Sequence, residues 1–175
     1  GTDAAGNNNA AATDFTFTYD TASPSTTISS TASDPSNGAT IEVSIVFGES
    51  VTGLVVSEVV VSGGSVSLAG SGTTYTATIT NTVAEAITIS GTLNGTGITD
   101  TAEVTFIPGA AATASTLLSI NSATVTANGS NSATVTVQAK DAQGNNLSIG
   151  GDIIVLSENG SATLSSVTDH GDGSY

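Results

Sequence analysis

Apolar residues alternate with polar residues along most of this chain of 175 residues. Phe15, Phe17 and Tyr19 show the alternation near the beginning, and apolar spacing of the helical type is nearly absent. A period of two places every second side chain on the same face of a β-strand, so one face can be buried while the other meets solvent. The pattern therefore predicts an all-β protein, with strands in DFTFTYD, TIEVSIVF, TYTATIT, AITISGTL, EVTFI, ATVTA and ATVTVQA.

Turn-forming clusters separate these predicted strands. They are rich in Gly, Asn, Asp and Ser, as in SDPSNGA, SGGS, LNGTG, ANGSN, QGNN, ENGS and HGDG. Predicted strands of about five to eight residues at short, regular spacing indicate an antiparallel β-sandwich. Residues 153–157 (IIVLS) form a continuous apolar run, which is typical of a more buried strand.

Two prolines divide the pattern into three units. Pro24 and Pro108 each lie between a finished strand and a new one, and proline cannot donate to a central ladder, so each marks a stiff joint. We expect residues 1–20 to be the terminal strand and linker of a preceding domain. Residues 21–108 are then a complete sandwich. Residues 109–175 begin another that lacks its last strands, because Tyr175 follows a turn like the one before Tyr75, where the strand continues.

The charge balance limits the partners of the chain. One Lys and no Arg stand against 15 acidic residues, which gives a net charge of −14. Such a surface cannot neutralise phosphates, so binding to nucleic acid or to an anionic membrane surface is not expected. The plausible charged partners are cations. Without Cys, an extracellular domain of this kind would depend on sheet packing or on bound metal.

Several motifs resemble known bacterial repeats. Two stretches resemble the bacterial immunoglobulin-like (Big) repeats of large surface adhesins and biofilm-associated proteins. They are residues 3–24, DAAGNNNAAATDFTFTYDTASP, and residues 29–80, from SSTASDPSNGATIEVSIVF to TTYTATIT. From about residue 110 the chain is similar to the repeats of intimin and invasin, with the turn KDAQGN and the step GDGSY. The resemblance implies tandem immunoglobulin-like antiparallel β-sandwiches, used as stalks, spacers or adhesive tips. In residues 21–108 we expect a core of Ile28, Ile41, Val43, Ile45, Tyr75, Ile79, Ile87, Ile89, Val104 and Phe106.

Enzymatic activity is not predicted. His170 is the only histidine, and it lies in a turn beside Asp169 and Asp172. A Ser-His-Asp mechanism needs one serine held close to the histidine, and nothing in this serine-rich sequence selects one. A glycosidase would need two acids in a cleft lined by aromatic residues, which make up only 4% of the chain.

Calcium is the one cofactor that we expect, because Ca²⁺ takes about six to eight oxygen ligands from carboxylates, amides and carbonyls. Acidic residues lie at predicted strand ends and joints, and sandwich topology groups the loops at its two ends. The candidate ligands are Asp20, Glu49 (in the loop after TIEVSIVF) and Asp100 at the first joint, and Asp34, Glu85 and Asp141 at the second. Asn145 and Asn146 would lie beside Asp141. The alternative is that these acids keep the surface soluble and form ordinary turns.

The favoured function is structural: an extracellular or cell-surface stalk whose partners are neighbouring immunoglobulin-like repeats. One alternative is an adhesive module that binds a sugar or a protein. Another is a fibre subunit that donates residues 10–19 into a neighbouring subunit. A stalk is expected to lack a concave pocket and an exposed aromatic cluster, whereas a binding module is expected to show one of them.

Overall fold

The computed structural model describes residues 1–8, 10, 14–17, 19–30, 32, 34 and 36–175. Within them the fold is all-β, with one 3₁₀ turn at Val56–Glu58. The strands are β1 (Thr26–Ser30), β2 (Thr40–Val51), β3 (Val59–Val61), β4 (Ser65–Thr80), β5 (Ala86–Leu93), β6 (Thr96–Gly97), β7 (Ala102–Thr105), β8 (Leu117–Ile120) and β9 (Val135–Gln138).

The first sheet has the antiparallel order β1-β2-β4. Ile45 of β2 lies opposite Ile28 of β1 and Tyr75 of β4, so the alternating residues of all three strands face the same side. β2 extends to Val51 after a break in register that follows Val46. Glu49 therefore lies inside a strand, and its predicted position in a loop was wrong, because an irregularity lets the strand continue past its alternating part.

The long element β4 folds back alongside itself. A side chain at Gly64 would collide with the backbone of Thr80, and one at Gly70 would come within 2.5 Å of the Thr74 carbonyl oxygen. Both glycines have positive φ, 76° and 116°, which only glycine adopts readily. The two halves of β4 are thus neighbours, and the predicted strand TYTATIT is only the second half.

The second sheet contains β3, β5 and β7 in antiparallel pairs, and β5 continues into β6 through a tight turn. Asn94 and Gly95 form that turn with φ values of 51° and 79°, the left-handed conformation that two-residue hairpin turns need. Ile87 pairs with Val104, so both point towards the first sheet. The two sheets enclose one core.

All ten residues predicted for this core are buried, so the facing of the strands was predicted correctly. The rings of Phe47 and Tyr75 meet edge to face at 5.9 Å inside it. Five further residues complete the buried cluster: Phe47, Val51, Leu54, Val59 and Ala77.

Residues 109–175 contain a smaller cluster, formed by Val137, Ala139, Leu147 and Tyr175. Here β8 and β9 make a two-stranded sheet, and the backbones of Val137 and Tyr175 exchange two hydrogen bonds. The segment IIVLS forms no strand, and Ile153 is 92% exposed, so the prediction of a buried strand was wrong. The predicted strand ATVTA is also absent. Ile154 and Leu156 pack partly against the small cluster, but no strand among the described residues pairs with IIVLS, so it forms no ladder.

The described residues of DFTFTYD also lack strand structure; Thr18 of this segment lies outside the described part. Phe15, Phe17 and Tyr19 are exposed, with Phe15 at 88%, and the first two rings lie 6.3 Å apart. The alternation there was correctly recognised, but no strand among the described residues pairs with it.

Candidate functional site at the joint

Residues on both sides of Gly109 form a polar joint. Segments 37–39 and 81–84 approach it from one side and residues 141–145 from the other, and they enclose a cleft of about 150 Å³. We call the residues that hold it together, Asn81, Glu85, Gly109, Asp141 and Asn145, the joint cluster.

Asp141 is the centre of the joint cluster. Its carboxylate is 3% exposed and accepts four hydrogen bonds. The backbone N–H groups of Gln143 and Asn145 bind Oδ1 at 2.9 Å each. The backbone N–H of Gly109 and the side-chain amide of Asn145 bind Oδ2, at 3.1 and 2.9 Å. The turn KDAQGN makes this possible because Gly144 adopts a φ of 90° and lets the chain return to its start.

The pKa of Asp141 lies below its ordinary value. Burial raises it, but the hydrogen bonds from the Asn145 side chain and from the N–H groups of Gly109, Asn145 and Gln143 outweigh that effect. The carboxylate is therefore ionised at neutral pH, and N–H donors occupy both of its oxygens.

Asn145 makes the direct connection across the joint. Its Nδ2 donates to the carbonyl oxygen of Thr82 at 2.9 Å, and its Oδ1 accepts the N–H of Ala84 at 3.1 Å. The same Nδ2 group also donates to Asp141. One side chain thus ties the turn at residues 141–145 to the loop that follows β4.

Asn81 holds the receiving loop in shape. It is buried, its Oδ1 accepts the N–H of Val83 at 3.0 Å, and its Nδ2 donates to Glu85 at 3.0 Å. Its backbone N–H reaches the carbonyl of Ala39. The sequence prediction placed a joint at Ile107–Gly109 but missed Asn81; an Asn directly after an alternating strand was the available signal.

The six candidate calcium ligands are distributed as follows. Asp141 and Glu85 both belong to the joint cluster, whereas Asp34 binds the backbone N–H of Thr105 at 3.0 Å. Asp20 accepts the N–H of Ala22, Asp100 accepts that of Ile28, and Glu49 lies within β2. Among the described residues, no three or more Asp, Glu, His or Cys side chains are grouped to hold a metal ion. Calcium binding stays a prediction.

The turn around His170 does not have the order of contacts of a catalytic triad. His170 Nδ1 lies 3.0 Å from Ser174 Oγ, and that hydroxyl group donates to Asp172 at 2.6 Å. In a triad the carboxylate binds the histidine and the histidine binds the serine. Here Ser174 lies between the other two. Hydrogen bonds from the side chain and the backbone of Ser174 lower the pKa of Asp172.

The fold defines a class: an immunoglobulin-like antiparallel β-sandwich, which is followed here by a smaller antiparallel unit. Residues 20–120 match the family described as bacterial Ig-like domain, and residues 111–175 match the family described as invasin, domain 3. The first match spans more than half of the sequence, so the chain belongs to the bacterial Ig-like domain family. The resemblance inferred from the motifs is confirmed. Comparisons with curated proteins and with solved structures gave no match.

Within the part of the chain that the structure describes, no helix is long and apolar enough to cross a membrane.

Proposed function

We propose that this chain is a structural segment of a bacterial surface adhesin, a stalk or fibre of immunoglobulin-like repeats outside the cell, without catalytic activity. Membership of the bacterial Ig-like domain family supports the adhesin-type repeat. The observation that carries the stalk function is the bridge from Asn145 to Thr82 and Ala84, because a rod needs joints that resist bending.

The short connection at Gly109 and the charge of the chain also support a stalk. Ile107 is hydrogen-bonded to Ser36 on one side and Gly109 to Asp141 on the other, so only Pro108 lies between the two anchored residues. Repeats that contact only their neighbours extend in a line. The partners are then the adjacent repeats. The net charge of −14 opposes collapse of one part of the rod onto another.

Calcium remains a proposal for the first joint, where Asp20, Glu49 and Asp100, which are not grouped in the described structure, would have to be drawn together by the ion. At the second joint an ion would have to displace the four N–H groups that already bind Asp141. We therefore propose that the second joint is held by hydrogen bonds and that calcium, where it acts, acts at the first.

A pair of spin labels tests the stalk function directly. The chain has no cysteine, so Thr52→Cys and Ser166→Cys in the full chain accept labels only at these two exposed positions. We expect a narrow distance distribution that Asn145→Ala broadens, since it removes three side-chain hydrogen bonds at the joint.

Asn146→Ala is the matched control, because it lies in the same turn and its side chain makes no cross-joint hydrogen bond in the described structure. Calcium and chelator are added to each variant. A distribution that is already broad in the parent protein would refute a stiff joint. A distribution that narrows only with calcium would place the ion at the second joint, against this proposal.

Two features that a stalk was expected to lack are present, an exposed aromatic pair and a concave groove, and they favour a second candidate, the fibre subunit. The exposed rings of Phe15 and Phe17 belong to an alternating segment, and a separate apolar groove lies between residues 111–118 and residues 152–156. A second copy of the chain that inserted its aromatic segment there would form polymers. Light scattering across concentrations tests this: polymers that Phe15→Ser and Phe17→Ser abolish support it, and a monomer at all concentrations excludes it.

A further inference from the structure

Two aspartates connect the first and the last strand of the larger sandwich. Asp100, just before β7, accepts the backbone N–H of Ile28 in β1 at 2.8 Å. Asp34, which follows β1, accepts the backbone N–H of Thr105 in β7 at 3.0 Å. β1 belongs to the first sheet and β7 to the second, so each carboxylate reaches from one sheet to the other.

A short parallel pairing lies at the Asp34 end of this connection. Ser36 forms a parallel bridge with Phe106: its N–H donates to Thr105 and its carbonyl accepts from Ile107, both at 2.9 Å. Ile28, Asp34 and Ser36 therefore follow the segment 100–107 in the same direction. Their contacts are anchored at one end by Asp100 and at the other by Asp34.

We propose that Asp34 and Asp100 form a clasp that carries tension along the chain. Tension enters the larger sandwich through the residues before β1 and leaves through those after β7. Two parallel segments pulled from opposite ends are loaded in shear, so both carboxylate bonds and the Ser36 bridge must fail together instead of one after another. The proposal rests on the stalk function above, since only a rod held at its ends experiences such a load.

Apart from the Ser36 bridge, β1 and β7 belong to different sheets, and facing sheets lie about 10 Å apart, so side chains must make the remaining connections. An ionised carboxylate is also a stronger acceptor than a neutral carbonyl. Asp100 is partly buried and Asp34 is exposed, so Asp100 is expected to contribute more.

Single-molecule pulling on the full chain tests the clasp. Handles on Ala22→Cys and Ala110→Cys load β1 and β7, and handles on Thr52→Cys and Thr92→Cys load the ends of β2 and β5 instead. With the first pair, Asp100→Ala is expected to raise the unfolding rate at a given load about 10- to 100-fold, and Asp34→Ala by less. Asp100→Asn, which keeps an acceptor oxygen, should have a smaller effect than Asp100→Ala.

Glu103→Ala is the control, since Glu103 is an exposed acid in β7 without a described hydrogen bond to β1. A larger effect of Asp100→Ala through the first handles than through the second supports the clasp. Equal effects in both geometries would show a contribution to general stability only and would overturn the proposal. The first handle pair flanks one sandwich and the second lies within it, so a flexible joint at Gly109 would refute the stalk and leave this comparison unaffected.

Discussion

The larger sandwich and residues 109–175 use the same alternating pattern with different results. In the sandwich, fifteen residues form one buried cluster between two sheets. In residues 109–175, only four residues form a buried hydrophobic cluster, while Leu117, Leu118 and Ile153 remain exposed. Alternation thus determines which side chains share a face, but burial requires a second layer opposite that face.

Aspartate at two isoleucine positions gives the sharpest contrast between these regions. Ile45→Asp should unfold the larger sandwich, because loss of a buried side chain costs about 2–5 kcal/mol and an unpaired buried carboxylate adds to it. The whole stability of a domain is only about 5–15 kcal/mol. Ile153→Asp should leave stability within about 0.5 kcal/mol of the parent value. Circular dichroism during urea unfolding measures both, and equal midpoints for the two variants would disprove the assigned facing of β2.

A second contrast concerns tyrosines. Tyr175→Ala removes a buried ring and the hydroxyl group that accepts the N–H of Asp152, so the small cluster should lose about 3–5 kcal/mol. Amide exchange at Val137 and Ala139 should then accelerate, while exchange at Ile41 and Val43 stays slow. Tyr19→Ala, at an exposed ring, is the control. Equal acceleration in both clusters would mean that they unfold as one unit.

The smallest expected effect is the pH dependence of the joint. The pKa of Asp141 is lower in the folded chain than its ordinary value of 3.8. The ionised carboxylate therefore stabilises the joint fully above pH 3.8, and this stabilisation declines as the pH falls through the pKa of the folded chain. The label distances should therefore broaden only below about pH 4. The Asp141→Asn variant should show a broad distribution of label distances at every pH. A parent distribution that broadens between pH 7 and 5 would assign the change to another group.

What could be predicted from the sequence follows from local rules. The ten core residues were found because each strand of the sandwich has its own alternating pattern. The fold-back within β4 was missed because Gly64 and Gly70 look like ordinary turn glycines. Strand pairing was harder to predict. IIVLS and DFTFTYD have strand patterns, but whether they pair depends on segments far away in the chain. The sequence predicted a joint around Asp141 with Asn145 beside it. It predicted a metal site there, whereas the structure shows a network of hydrogen bonds.

The contacts of Asn145 have a consequence for how such chains diversify. Asn145 binds the carbonyl of Thr82 and the N–H of Ala84, and Asp141 binds the N–H of Gly109, so these hydrogen bonds reach only main-chain atoms outside the turn. Residues 82 and 84 can therefore be replaced without removing an acceptor or a donor, provided that Asn81 keeps the loop in shape. In the proposed stalk, a preceding domain with other side chains at residues 82 and 84, proline at 84 excepted, would therefore fit beside the KDAQGN turn without a matching change in that turn.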